Sequence, residues 1–354
     1  MAGRVLSLFA ALALAVPSAG CLQVEYLVQA AEGQDDIAYR ARPITEVLAD
    51  EREPASTRRL LAMVADVKAF AEANGLVATN SYATYADLER PAAVWVVTAA
   101  PPLSLEPETW TFPIVGTVPY LGWFERHDAE RQAVLLREDG LDVYVRPARA
   151  YSTLGWFDDP VLSTMLGAPH EHDDASAAGL VEVVLHESVH ATTYVKSQSL
   201  YNESLATFVA EELTPLYLQA RPGGGARQRS LYEEGLAEER RREARVQATC
   251  GELDKLYRSQ LAKPEKLREK RRLLASLERE LGLDRELNNA ALAQAQTYDS
   301  GGVALAELYQ ACGRDMPRFL RAVGTLNADS FAEPQALDLR AVLAPLIAGG
   351  CQGG

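Results

Sequence analysis

The stretch Val183-Val184-Leu185-His186-Glu187-Ser188-Val189-His190-Ala191 decides how this chain is read, because it carries H-E-x-x-H inside an apolar run. On a helix, residues four apart share one face, so His186 and His190 present their imidazoles to a single point. Glu187 lies next on the turn, close enough to meet a metal-held water without being a ligand. It is the one charged residue of the run, the pattern of a buried helix with no competing charge. A catalytic zinc takes three protein ligands and leaves a fourth position open. The third candidate is Glu203, thirteen residues after His190, in Asn202-Glu203-Ser204-Leu205-Ala206. A helix, a short loop and a second helix bring it back beside the histidines, completing a His2Glu set for one Zn2+. The competing reading makes Asn202 a helix cap and Glu203 an exposed first-turn acid favoured by the helix dipole.

Outward from this motif the chain is helical. The pattern predicts helices over 177–200 and about 203–220, then a break at Arg221-Pro222-Gly223-Gly224-Gly225. From 226 to about 286 both charge signs are densely mixed and interrupted at Lys263-Pro264, which reads as an antiparallel helical hairpin with solvated faces. Further helical runs follow at 288–299 and 303–325, before a Gly-rich tail. Upstream, residues 22–55 form a helical lead-in. A helix capped by Ser56 runs through Leu60, Leu61, Met63, Val64, Val67, Phe70 and Ala71 to Asn74-Gly75. Between about 80 and 150, β-rich runs at 93–98, 112–118 and 141–145 are punctuated by Pro101, Pro102 and Asp139-Gly140, predicting a small sheet. The fold class is therefore α+β, predominantly helical.

The start of the chain is an address. Arg4, the apolar run 5–16 and the small residues before Cys21 make a secretory signal peptide over residues 1–20, too short for a membrane span. Cys21 stands where a bacterial lipoprotein receives its lipid, although Ser18 replaces the usual Leu; ordinary cleavage near Gly20 is the alternative. The expected location is the periplasm, with membrane contact only through a lipid on Cys21. There Cys250, Cys312 and Cys351 allow one disulfide and one odd thiol, the pairing left open.

The 354 residues carry 35 Lys+Arg against 49 Asp+Glu, a net charge of −14. That balance excludes a nucleic-acid partner, which needs clustered positive charge. With 48% hydrophobic residues the chain is long enough for a core of its own. Residues 21–354 are read as one body, with the 226–286 hairpin as an arm whose partner is unknown. His170-Glu171-His172 and His127 read as solvated, and Trp95, Trp110, Trp123 and Trp156 as core or site wall.

The chain resembles the bacterial predicted zinc aminopeptidases, distant relatives of the gluzincins. The likeness rests on Gly20-Cys21, the stretch 29–34, Arg42-Pro43-Ile44, Ser81-Tyr82 with Tyr85-Ala86-Asp87-Leu88, and the stretch 150–160. It continues through the zinc helix, Asn202-Glu203-Ser204 and Asn288-Asn289-Ala290 with Tyr298. The resemblance implies a zincin-like core, His186, His190 and Glu203 as ligands, Glu187 as catalyst, and a peptide substrate. Tyr298, within a shared stretch, becomes a candidate donor to the developing oxyanion. An aminopeptidase must also hold the substrate's free ammonium, and Asp158 or Asp159 is a candidate for that. An endopeptidase or processing protease is the alternative enzyme. A lipoprotein scaffold with a structural or inactive zinc is the non-catalytic alternative.

Overall fold

Helix α1 (Cys21–Arg40) opens the computed structural model, which describes residues 21–112, 116–153, 157–167, 173–221, 225–293 and 301–351. The predicted signal peptide lies outside them. Tyr26 and Gln29 moor α1 to the neighbouring sheet. Gly122 N donates to the Tyr26 hydroxyl at 3.2 Å, and the Gln29 amide brackets Gly122 O and Phe124 N at 3.2 and 3.1 Å. The strand β1 (Arg42–Pro43) and helices α2 (Ile44–Ala49), α3 (Ala55–Leu61) and α4 (Val64–Ala73) follow. The helix expected to start at Ser56 starts directly after Pro54, whose ring fixes φ near the helical value at the entry. It is also two helices: Met63 N bonds Leu60 O, three residues back, tightening the turn where they meet.

Two small sheets follow. In one, β2 (Thr84–Ala86) pairs antiparallel with β1 and parallel with β8 (Val161–Leu162). In the other, β3 (Val94–Ala100) lies centrally between β6 (Leu121–Trp123) and β7 (Asp142–Ala148), both antiparallel. The run expected over 112–118 is part of a hairpin of β4 (Trp110–Phe112) and β5 (Gly116–Val118). Helix α5 (Arg126–Glu138) covers the β3 sheet with Ala129, Ala133 and Leu136 against Val97, Ala99, Leu121 and Trp123. Gly140, at φ +83, makes the turn from α5 into β7, as Asp139-Gly140 predicts.

The metal-motif helix is α6 (Asp173–Thr192), paired with α7 (Ser199–Ala220). Leu180, Val181, Val184, Leu185 and Val189 are fully buried, as are Tyr201, Leu205, Val209 and Leu213 of α7. A helix apolar on nearly every face belongs in the middle of a core. The first helix ends eight residues before the expected 200, and the second begins at 199. Glu203 therefore stands a full turn inside α7.

Helices α8 (Ala226–Arg258) and α9 (Lys263–Leu281) form the expected hairpin. Its outer faces are solvated, yet it is no free arm. Cys250, Leu253, Leu274, Leu277, Leu287 and Leu292 give it a core of its own. Lys270, 7% exposed, pairs with Asp142 of β7 and donates to Pro102 O at 2.9 Å. Asn289 completes the latch: its N–H reaches Asp142 at 2.9 Å, and its side chain donates to Pro101 O and Ser104 O at 2.9 and 2.7 Å. Buried polar groups satisfied from both sides fasten the hairpin to the sheet.

The helix expected over 303–325 is split into α10 (Gly302–Ala311) and α11 (Met316–Val323), because Gly313 and Arg314 both take positive φ. The tail holds a further helix, α12 (Leu339–Ala348), whose cap Asp338 accepts from Ala341 N. Cys312 and Cys351 form a disulfide that ties the end of α10 to the end of the chain, and Cys250 is free and buried. No helix among the described residues is long and apolar enough to cross a membrane.

Candidate metal centre

His186 and His190 lie one turn apart on α6, their ring centroids 5.0 Å apart and nearly perpendicular. Across the α6–α7 seam, Glu203 approaches both. Its Oε2 is 3.4 Å from His186 Nε2 and its Oε1 is 3.8 Å from His190 Nε2. One donor atom from each residue falls within 4.8 Å of the others. Two ligands about 2.1 Å from a tetrahedral zinc stand roughly 3.4 Å apart, so the two measured separations fit one such ion.

Two of the three groups stand in the form that ligates. Burial pulls His190 down to about 4, keeping it neutral, the form that binds metal. Burial alone would raise Glu203, but the hydrogen bond with His186 and the nearby histidines hold it ionised, at about 2. Two nitrogens and a carboxylate are the donor types that zinc accepts, and the residues present fit that ion.

The seam is aligned by its loop. Asn202 is buried, its Oδ1 accepting from Val195 N at 2.9 Å and its Nδ2 donating to Val195 O at 2.8 Å. The predicted capping residue therefore braces the α6–α7 loop from inside α7. A turn near the end of the chain adds to this: Gln335 N donates to Ser197 O at 2.9 Å, and the Gln198 amide bridges Glu333 O and Ala336 N.

Glu187 is half-buried beside the cluster. Burial pushes its carboxyl up to about 7, with Glu203 and Asp159 adding and His186 and the Ser152 hydroxyl opposing. Asp159 is buried, and burial raises it to about 6. Both its oxygens are engaged by Thr153, whose N–H and hydroxyl each donate at 2.8 Å. Asp158, its neighbour, is exposed. Of the two acids predicted to meet an ammonium, Asp158 thus keeps an uncommitted surface and Asp159 is engaged within its own loop. Tyr298, His170 and His172 lie outside the described residues, and Cys21 is the first residue of α1.

Three contributors escape sequence reasoning. The Tyr120 hydroxyl, between β5 and β6, donates to Glu203 Oε1 at 3.4 Å. Arg146 of β7 lends positive charge to Glu203. Ser152 reaches Glu187 from the loop after β7. Only Ser152 lies in a stretch singled out for the resemblance, and no periodicity marks any of them.

Residues 25–337 match the family described as Putative aminopeptidase. No curated protein and no solved structure matches the chain.

Proposed function

Because the chain belongs to this aminopeptidase family, we propose that it is a zinc-dependent peptidase that removes N-terminal residues from peptides. The observation that carries the zinc dependence is the convergence of His186, His190 and Glu203 on one point, with Glu187 half-buried at its edge. His186, His190 and Glu203 would hold the ion. When bound, zinc lowers the pKa of a coordinated water and polarises a carbonyl oxygen.

The chain's own residues do the rest. Glu187, whose carboxyl is poised near neutrality by burial, accepts the proton of the attacking water at one carboxylate oxygen and returns it to the departing amine. Tyr120 and Arg146 restrain the Glu203 carboxylate from outside the cluster, a role that outer partners of metal ligands commonly take. Asp158, exposed on the loop that brings Ser152 to Glu187, is the acid available to a substrate ammonium. Tyr298 is retained as a donor to the oxyanion through its place in the shared stretch.

Export and lipid attachment at Cys21 belong to the same reading. The Cys312–Cys351 disulfide supports it, since disulfides persist in oxidising compartments. The deciding experiment pairs metal analysis of the purified protein with digestion of a peptide library, with and without chelator. One equivalent of zinc and chelator-sensitive trimming of free N-termini are expected. Internal cleavage instead would make it an endopeptidase. A protein that carries no zinc and cuts no peptide would not be a metallopeptidase.

A further inference from the structure

Gln335 is the meeting point of three segments that lie far apart in the chain. Its N–H donates to Ser197 O at 2.9 Å, and its side-chain amide donates to Thr117 O at 2.7 Å. Thr117 N in turn donates to Ser197 Oγ at 3.1 Å. The β4–β5 hairpin, the α6–α7 loop and the segment before α12 thus close a ring of hydrogen bonds. The buried Gln198 amide doubles the junction through Glu333 O and Ala336 N, at 2.7 and 3.1 Å.

Each segment is held in a shape that it would not keep alone. Ser197 and Gln335 stand at φ +63 and +56, the left-handed region that a non-glycine residue keeps only where its surroundings impose it. Gly116, at φ +80, lets β5 come so close that a Cβ there would stand 2.2 Å from Ser197 Oγ. Two groups of the metal centre hang from this junction. Glu203 lies on the helix into which the Ser197 loop leads, and Tyr120, just beyond Thr117, reaches Glu203 Oε1.

What keeps Gln335 in place is less local. Residues 324–338 contain a single short helical turn, Ala328–Ser330, so their position depends on the helices at either side. After them comes α12, ten residues long and marginal as an isolated helix. Leu339, Leu343 and Leu346 seat it on the core, and its far end is fastened twice. Arg318 donates to Gly350 O at 2.6 Å, and Cys351 is bonded to Cys312 across 39 positions of chain. The loop closed by that disulfide contains Glu333, Gln335 and Ala336, and closing it limits how far they can part from the α6–α7 loop.

We propose that Gln335 is a positioning residue for the metal centre and that the Cys312–Cys351 disulfide holds it there, so that the zinc site is completed when the disulfide forms. Reduction by a dithiol splits the S–S bond: two electrons and two protons pass to Cys312 and Cys351, and the reductant leaves as a disulfide. The 333–336 segment then opens, Ser197 relaxes, and Glu203 loses its fixed approach to the histidines. The reduced chain is a poor zinc binder and the oxidised chain a good one. The zinc half of this rests on the metallopeptidase reading; the hold of the disulfide on Gln335 does not.

The test uses the full mature chain as Cys312→Ser with Cys351→Ser, as Gln335→Ala, and with all three changes. Variants replace thiol reductants in the zinc assay, because thiols bind zinc themselves. Zinc affinity, read by competition with a chromophoric chelator, falls about tenfold to a hundredfold in the first two. The triple variant falls no further than the weaker of them, because both changes cut one route. Lys270→Met, destabilised at the hairpin latch, keeps wild-type affinity. In chelator-treated protein, amide hydrogen exchange at Thr117 and Gln335 quickens in the cysteine variant, while the amides in the middle of α7 hold. Should that variant not fold, wild type reduced with dithiothreitol takes its place in this metal-free measurement. Unchanged exchange at Thr117 and Gln335 overturns the proposal. So does unchanged zinc affinity in a folded variant, an additive loss in the triple variant, or an equal loss in Lys270→Met. A wild type that binds no zinc overturns the metallopeptidase reading instead, and the exchange rates still decide whether the disulfide holds Gln335.

Discussion

Asn202 closes both ends of its amide on the backbone of a single residue, Val195, and so fixes where the next residue, Glu203, meets the two histidines. The pair is buried, so no water replaces a missing partner. Asn202→Ala leaves the N–H of Val195 unpaired and its C=O with the Gln198 N–H alone, and a buried group left unsatisfied costs about 1–3 kcal/mol. The loss should appear in urea unfolding. Zinc affinity should fall with it, because the α6–α7 register sets the Glu203 approach. An Asn202→Ala variant with unchanged zinc affinity would separate the brace from the metal centre.

Metal removal is expected to destabilise the fold. An ion bound only by the folded chain adds about 2.7 kcal/mol at a hundredfold excess over its Kd. Chelator should therefore lower the melting temperature of the wild type and leave that of His190→Ala unchanged. Glu187→Gln should behave like the wild type in this assay while losing peptide turnover, since Glu187 is placed beside the ion and not on it. Equal chelator sensitivity in His190→Ala would remove that residue from the ligand set.

Asp158 and Asp159 are adjacent in sequence and opposite in setting, so their Asn variants should differ. Asp158→Asn, at an exposed carboxylate, should raise KM for peptides with free N-termini and spare N-blocked ones. Asp159→Asn should slow both alike, because it loosens the bonds to Thr153. Equal effects of Asp158→Asn on the two substrate types would end its role toward an ammonium.

Much of the candidate metal centre is legible in the chain, and the reasons for the exceptions are physical. H-E-x-x-H and the spacing to Glu203 are local facts about helical geometry, and both histidines and the glutamate meet as expected. The end of α6 is not local. Residues 193–198 leave the helix because Asn202 holds Val195, Gln335 holds Ser197 and Glu333 with Ala336 holds Gln198, Gln335 being 138 positions beyond Ser197 along the chain. Helix α5 shows only Ala129, Gln132, Ala133 and Leu136 as its buried stripe, too small and polar a set to announce itself among six charged residues and a histidine. Tyr120, Arg146 and Ser152 reach the site from the sheet and its loops, where no spacing rule points toward a helix seam. The hairpin's charge pattern reads correctly as solvated, but Lys270 looks like its neighbours until Asp142 is seen beside it.

That pairing is itself testable. Removing one partner of a buried ion pair costs about 3–5 kcal/mol, because it strands the other charge. Lys270→Met should therefore unfold at markedly lower urea than the wild type. Lys270→Met combined with Asp142→Asn should recover part of the loss, a coupling that a double-mutant cycle reads directly. Additive losses would mean that the two side chains do not stabilise each other, leaving Asn288 and Asn289 to hold this region to the sheet.

The pH dependence of stability has one predictable component outside the metal cluster. Burial raises Asp159 to about 6, above the value near 3.8 that it has in an unfolded chain. Between those values the folded chain binds the proton more tightly than the unfolded one. Its contribution is complete below about pH 3.8 and is lost as pH rises toward 6. The full swing is on the order of 3 kcal/mol. Asp159→Asn cannot titrate, so the difference in unfolding free energy between wild type and variant should drift in the variant's favour from pH 4 to pH 6.5 and then level off. Urea unfolding across that range, in chelator so that metal binding does not contribute, measures the drift, and the other titrating groups cancel in the difference. A constant difference would mean that Thr153, whose two bonds favour the ionised carboxylate, offsets the cost of burial completely.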